Sequence, residues 1–181
     1  MTSGAGPPPL DHLVGIPVRR TVRPPAADVV GTTVAGVHTS VPVVGVRGWT
    51  LLVFLSSTCD GCEPLWNAWA HPQLFEDHGM PPVERVVAVT RDAVHERPDV
   101  LATWCADAPA SRWGAAIDRL VLSSAAWASY AVWGPPLFAL VDGPPGVVAT
   151  EGVAWAVEQV ANHVRRAMIG DPGAADPSAA G

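Results

Sequence analysis

Three observations predict that this 181-residue chain folds as a single α/β domain. From Thr50 to Leu55 runs an apolar stretch rich in β-formers, long enough for one buried strand. Small polar residues end it, and Cys59 and Cys62 follow with two residues between them; the spacing then turns helical at Leu65, Trp66, Trp69 and Ala70. Towards the far end, apolar runs at 137–141 and 147–150 flank the turn residues Asp142 to Gly146, and a helical apolar face comes after them.

Taken in order, residues 1–28 read as a Pro-rich, mostly extended N-terminal arm. Residues 29–46 are Val-rich but broken by Gly31, Gly36, Pro42 and Gly45, which suits short strands and turns. A strand over 50–57 leads into a helix from about 60 to 70. Pro64 falls in its first turn, where a missing N–H costs least, and His71-Pro72 ends it. Residues 83–90 predict the next strand. Pro98 opens a helix with a stripe of Val100, Leu101, Trp104 and Cys105. A short strand at 120–122 and a short helix at 125–132 precede the hairpin. Beyond it Val153, Val157, Val160, Ala161, Val164 and Met168 share one helical face. The Gly, Pro, Ala and Asp of residues 169–181 predict a disordered tail, which leaves 29–168 as the folded domain.

Composition narrows the function. Net charge is −6 and all eleven basic residues are Arg, with no basic stripe, so nucleic acid is not an expected partner. No apolar run approaches membrane-spanning length. Behind the basic cluster Arg19, Arg20 and Arg23 come Pro24, Pro25 and Asp28, not the apolar segment of a signal peptide, so a cytoplasmic location is expected. Three cysteines there do not form a disulfide scaffold; catalysis, metal binding or a buried thiol remain open.

Cys59 and Cys62 sit where a helix begins, and free N–H groups and the positive end of the helix dipole favour a thiolate there. Zinc binding would need four ligands, recruited from Cys105, His71, His78 or His95; none makes a second pair at finger-like spacing, and no metal or other cofactor is assigned. Cys105, on the stripe with Leu101 and Trp104, reads as a buried thiol. Asp60 adjoins Cys59 and modulates it: its charge opposes the thiolate and makes the pair reducing.

The order strand, C-x-x-C helix, strand, helix, Pro-led hairpin and final helix resembles the thioredoxin superfamily over roughly residues 29 to 168. Residues 51–62 look like its strand and active-site turn, and residues 130–143, from Tyr130 through Pro135-Pro136 to Gly143, like its cis-proline segment. The Ser-Ser-Thr-Cys turn and the Val-Asp-Gly hairpin are closer to the redoxin-type branch, which includes thiol-disulfide proteins of cytochrome maturation. The resemblance implies a thioredoxin-like fold, a central mixed sheet flanked by helices. It also implies a thiol-disulfide oxidoreductase, with Cys59 as nucleophile, Cys62 as resolving thiol and a cis bond before Pro136. Pro136, Pro135 and Trp133 would line the substrate groove. The partners would be a disulfide-containing protein or a small thiol, with an unidentified electron donor. Thr58 stands in place of the family's Trp, Asp60-Gly61 in place of Gly-Pro, and Val53 in place of its buried acid. Proton transfer then falls to water or to another carboxylate. Two alternatives stand beside this: a non-catalytic thioredoxin-like binding module, with Cys59 and Cys62 vestigial or on metal, and a peroxidase-type redoxin, since Ser56 lies three residues before Cys59.

Overall fold

The computed structural model describes residues 23–169 together with the short strand β1 (Ile16–Pro17). The tail expected over 169–181 lies outside the described residues except for Ile169, as does most of the arm expected over 1–28. The part of that arm that is described runs along the sheet. Val148 N–H donates to Pro24 O, Ala26 N–H donates to Gly146 O, and the Asp28 carboxylate accepts from the amides of Val43 and Val44.

The strands are β2 (Val29–Thr32), β3 (His38–Val41), β4 (Trp49–Phe54), β5 (Arg85–Thr90), β6 (Leu120–Leu122), β7 (Leu137–Asp142) and β8 (Val147–Val153). With β1 they form one mixed sheet in the order β1-β8-β7-β4-β5-β6-β2-β3. The β4–β5 and β5–β6 pairs are parallel, and β7 lies antiparallel to both β4 and β8. The helices are α1 (Glu63–Ala70), α2 (Gln73–Asp77), α3 (Pro98–Asp107), α4 (Ser124–Ser129) and α5 (Val157–Ile169).

The period of two along β4 divides the core. Leu51, Val53 and Leu55 pack with Leu65 and Trp69 of α1, Phe75 of α2, Leu101 of α3 and Val160 and Val164 of α5. Leu52 and Phe54 face the opposite way, onto Trp127 of α4, Tyr130 and Val29. Burial on both faces is why β4 reads as an unbroken apolar run. It also makes β4 a rigid base for whatever its C-terminal end carries. Trp69 and Arg119 fix α1 against the edge of β6: each donates to the other's carbonyl, at 3.2 and 3.0 Å.

The observed elements depart from expectation in several places: α4 stops at Ser129, short of residue 132, β5 starts at Arg85, and three further departures have a clear physical cause. β4 ends at Phe54, not at residue 57, because the Ser57 amide is taken by a side chain from another loop instead of by a neighbouring strand. Val153 closes β8, paired with Leu137, and does not join the last helix; Gln159 Oε1 accepts from the amides of Trp155 and Ala156 and starts α5 four residues later than the apolar spacing implied. Nothing was expected between Pro72 and residue 83, yet α2 forms there. Pro72, at φ −59°, re-enters helical geometry at its N-cap, and the fully buried Phe75 anchors the short helix.

Candidate active site

The turn from β4 to α1 carries the cysteines. Cys59 caps a single 3₁₀ turn, Asp60–Cys62, with extended backbone angles of −106° and 108°, and Cys62 in turn caps α1. Both sulfurs therefore sit at a helix start, as the spacing predicted. Cys59 is half-buried, whereas Cys62 is completely buried. All three cysteines are unpaired thiols, and Cys105 lies buried in the core on α3.

Desolvation pushes the Cys62 thiol far above its ordinary range, and a hydrogen bond with Cys59 adds to this. A backbone hydrogen bond from Ser56 works against them, and the charge of Glu96 contributes a further small rise. So Cys62 is held as a neutral thiol next to the more accessible Cys59.

The Pro135–Pro136 peptide bond is cis. Pro136 is buried, and the Pro135 carbonyl lies 3.9 Å from Cys59 Sγ. Trp133 is 74% exposed and lines, with Cys59, Pro135, Arg91 and His95, a cleft of about 450 Å³. Cys59, Pro135 and Trp133, picked out from the sequence, thus share one cleft, with Pro136 directly behind it. Asp60 borders a second cleft on the other side of Cys59, of about 610 Å³, between α1 and α3.

Sequence reasoning missed two residues. Glu96, in the loop between β5 and α3, is only 8% exposed. Its Oε2 accepts from Ser57 N at 2.7 Å, Ser57 Oγ at 2.6 Å and Ser56 Oγ at 3.2 Å. These bonds cross about forty residues of chain, so no local pattern announces them. The other is Trp155, whose ring lies 3.4 Å from where a Cβ on Gly61 would stand; it covers the turn between the cysteines, and Gly61 leaves it room. Among the described residues no group of three or more His, Cys, Asp or Glu is placed to hold a metal ion.

No protein-family model and no curated protein sequence matches this chain. Solved structures do. A thiol:disulfide interchange protein from Bacteroides sp. superposes with a TM-score of 0.53 at 17% identity, over 88% of this chain and 97% of its own. The fold is thioredoxin-like. Two further structures agree. A thiol:disulfide interchange protein of the thioredoxin family from Chlorobium tepidum TLS gives 0.51 at 14% identity, over 82% of this chain and 99% of its own. The DsbF structure from MTB, in mixed oxidized and reduced forms, gives 0.52 at 17%, over 77% and 94%. In this thioredoxin-like frame, the β4–α1 turn and the Pro135–Pro136 loop converge on Cys59. No described helix is long and apolar enough to cross a membrane.

Proposed function

We propose that this chain is a thiol-disulfide oxidoreductase acting on a disulfide-bearing polypeptide or small molecule. The observation that carries the reading is the asymmetry of the pair: Cys59 half-buried at a helix start beside the Pro135 carbonyl, Cys62 wholly buried one turn away. The accessible thiol is placed to attack, and the sheltered one to resolve.

In the reducing direction, Cys59 as thiolate attacks one sulfur of the substrate disulfide. A Cys59–substrate disulfide forms, and the other substrate sulfur leaves as a thiolate. Cys62 then gives up its proton and attacks Cys59 Sγ, which releases the second substrate thiolate and leaves Cys59 and Cys62 joined. Two electrons have passed to the substrate, and an external thiol donor must restore the dithiol. Glu96 is the buried carboxylate nearest this chemistry, linked through Ser56 to the backbone that faces Cys62. It holds the turn in shape through its bonds to Ser56 and Ser57. Asp60, exposed and next to Cys59 in the chain, borders the same cleft as the sulfur. The proposed setting is the cytoplasm, where thiol reductants keep such a pair reduced.

The test is reduction of a protein disulfide with a thiol donor, compared across Cys59→Ser, Cys62→Ser and Cys105→Ser. Cys59→Ser should abolish turnover, and Cys62→Ser should stall as a mixed disulfide. Cys105→Ser should retain the activity. Full activity in Cys59→Ser would refute the assignment.

A further inference from the structure

The two clefts that meet at Cys59 differ in charge, and the larger one has the makings of a cation site. Its floor is aromatic: the rings of Trp66 and Trp104 lie 4.9 Å apart at 54°, and the Trp66 indole N–H is fixed on Ser56 O at 3.2 Å. Three exposed carboxylates, Asp60, Glu63 and Asp107, stand around it, with one histidine, His71. The ion pairs Arg97–Asp99 and Arg112–Glu76 involve none of the three. No Arg lines this cleft, although Arg is the chain's only strong base. Ring faces attract a cation and carboxylates pair with it, so the cleft favours a guanidinium or an ammonium. The cleft on the other side of Cys59 carries Arg91 and His95 with a single carboxylate, the largely buried Glu96, and the Arg91 guanidinium lies 4.8 Å from the centroid of the Trp127 ring. Cys59 lines both clefts, so a polypeptide laid across the sulfur has both within reach.

We propose that the cleft between α1 and α3 is a subsite for an arginine or lysine side chain close to the disulfide cysteine of a polypeptide substrate. This rests on the oxidoreductase reading above and narrows its substrate class. A cation bound there pairs with the carboxylates that border the cleft and so anchors the polypeptide with its disulfide beside Cys59.

The experiment uses three seven-residue peptides, each with one cysteine held as a disulfide with thionitrobenzoate and flanked by Arg, Ala or Glu. Attack by reduced Cys59 forms the Cys59–peptide disulfide and releases coloured thionitrobenzoate. The expected rate constant for the Arg peptide is about tenfold above that of the Ala peptide, with the Glu peptide slowest. In the Glu63→Gln, Asp107→Asn double variant the Arg-to-Ala ratio should fall to about threefold or less; the ratio is the readout, not the absolute rate. A second measurement needs no chemistry: peptides with Ser in place of Cys are titrated while the indole N–H signals of Trp66 and Trp104 are followed by NMR. Only the Arg peptide should shift them. A native ratio near one, a ratio unchanged in the double variant, or no indole shift would overturn the subsite. If no peptide reacts but the Arg peptide shifts the indoles, the cation site stands and the oxidoreductase reading falls.

Discussion

Replacing Glu96 separates its charge from its shape. Oε2 accepts three bonds, two of them short, at 2.6 and 2.7 Å. In Glu96→Gln an amide oxygen can still accept all three, but they become neutral bonds. Bonds to an ionised group are worth about 1.5–3 kcal/mol and neutral ones about 0.5–1.5, so the two short bonds lose about 2 kcal/mol together. Removing a largely buried charge returns part of this, leaving a net loss of about 1 kcal/mol. Glu96→Ala leaves the Ser57 amide and two hydroxyls without their acceptor, and should cost about 3 kcal/mol or more. Urea unfolding at pH 7 measures both, with an unchanged denaturant slope as the control. A Glu96→Gln loss equal to or larger than that of Glu96→Ala would refute the argument. The charge also leaves a kinetic mark. Since Glu96 helps to push the Cys62 thiol up, Glu96→Gln should move the alkaline rise in mixed-disulfide resolution to lower pH. A move to higher pH would contradict the assigned sign.

Burial lifts the Cys105 thiol from 9.0 to about 11 and the Tyr130 hydroxyl from 10.0 to about 12. Their stabilising effect is complete below the unfolded values and is lost as pH rises through the folded ones, so stability should fall from about pH 9 upward. Cys105 alone accounts for about 3 kcal/mol across that window. Cys105→Val should flatten the fall between pH 9 and 11 in chemical denaturation series; an unaltered fall would clear Cys105 of any part in it. Asp60→Asn should raise the reduction potential, measured in glutathione buffers, by something on the order of 10 mV and less at high salt. A fall in potential would reverse the electrostatic reading. Ala131 sits at φ +50° just after α4, where the amides of Ala131 and Val132 close the helix onto Ala128 O and Trp127 O. Ala131→Gly should stabilise the fold by about 1 kcal/mol in the same unfolding assay, and a loss of stability would be unexpected.

What was legible in the sequence follows from range. The strand–turn–helix around Cys59 and Cys62, the β7–β8 hairpin and the apolar face of α5 are local patterns, and each lies close to where periodicity and turn residues put it. The errors come from side chains acting across the chain. Glu96 cuts β4 short from the loop before α3, and Gln159 delays α5 by taking two amides of the preceding turn. The position of α2 depends on Phe75 finding the core, which the isolated stretch after Pro72 does not reveal. At the site, the cysteines and Pro135-Pro136 carry recognisable signatures. Glu96 and Trp155 carry none, because what places them is the packing of loops around β4.

The proposed chemistry requires Cys59 and Cys62 to form one redox pair with Cys59 outermost. The most direct measurement equilibrates the protein in glutathione buffers of graded potential, quenches with acid, alkylates the free thiols and maps them by mass spectrometry. It should find a single two-electron transition that joins Cys59 to Cys62 and leaves Cys105 free throughout. In Cys62→Ser, the same buffers should place one glutathione on Cys59. A disulfide that includes Cys105, or Cys59 and Cys62 remaining as free thiols across the whole range, would contradict the account.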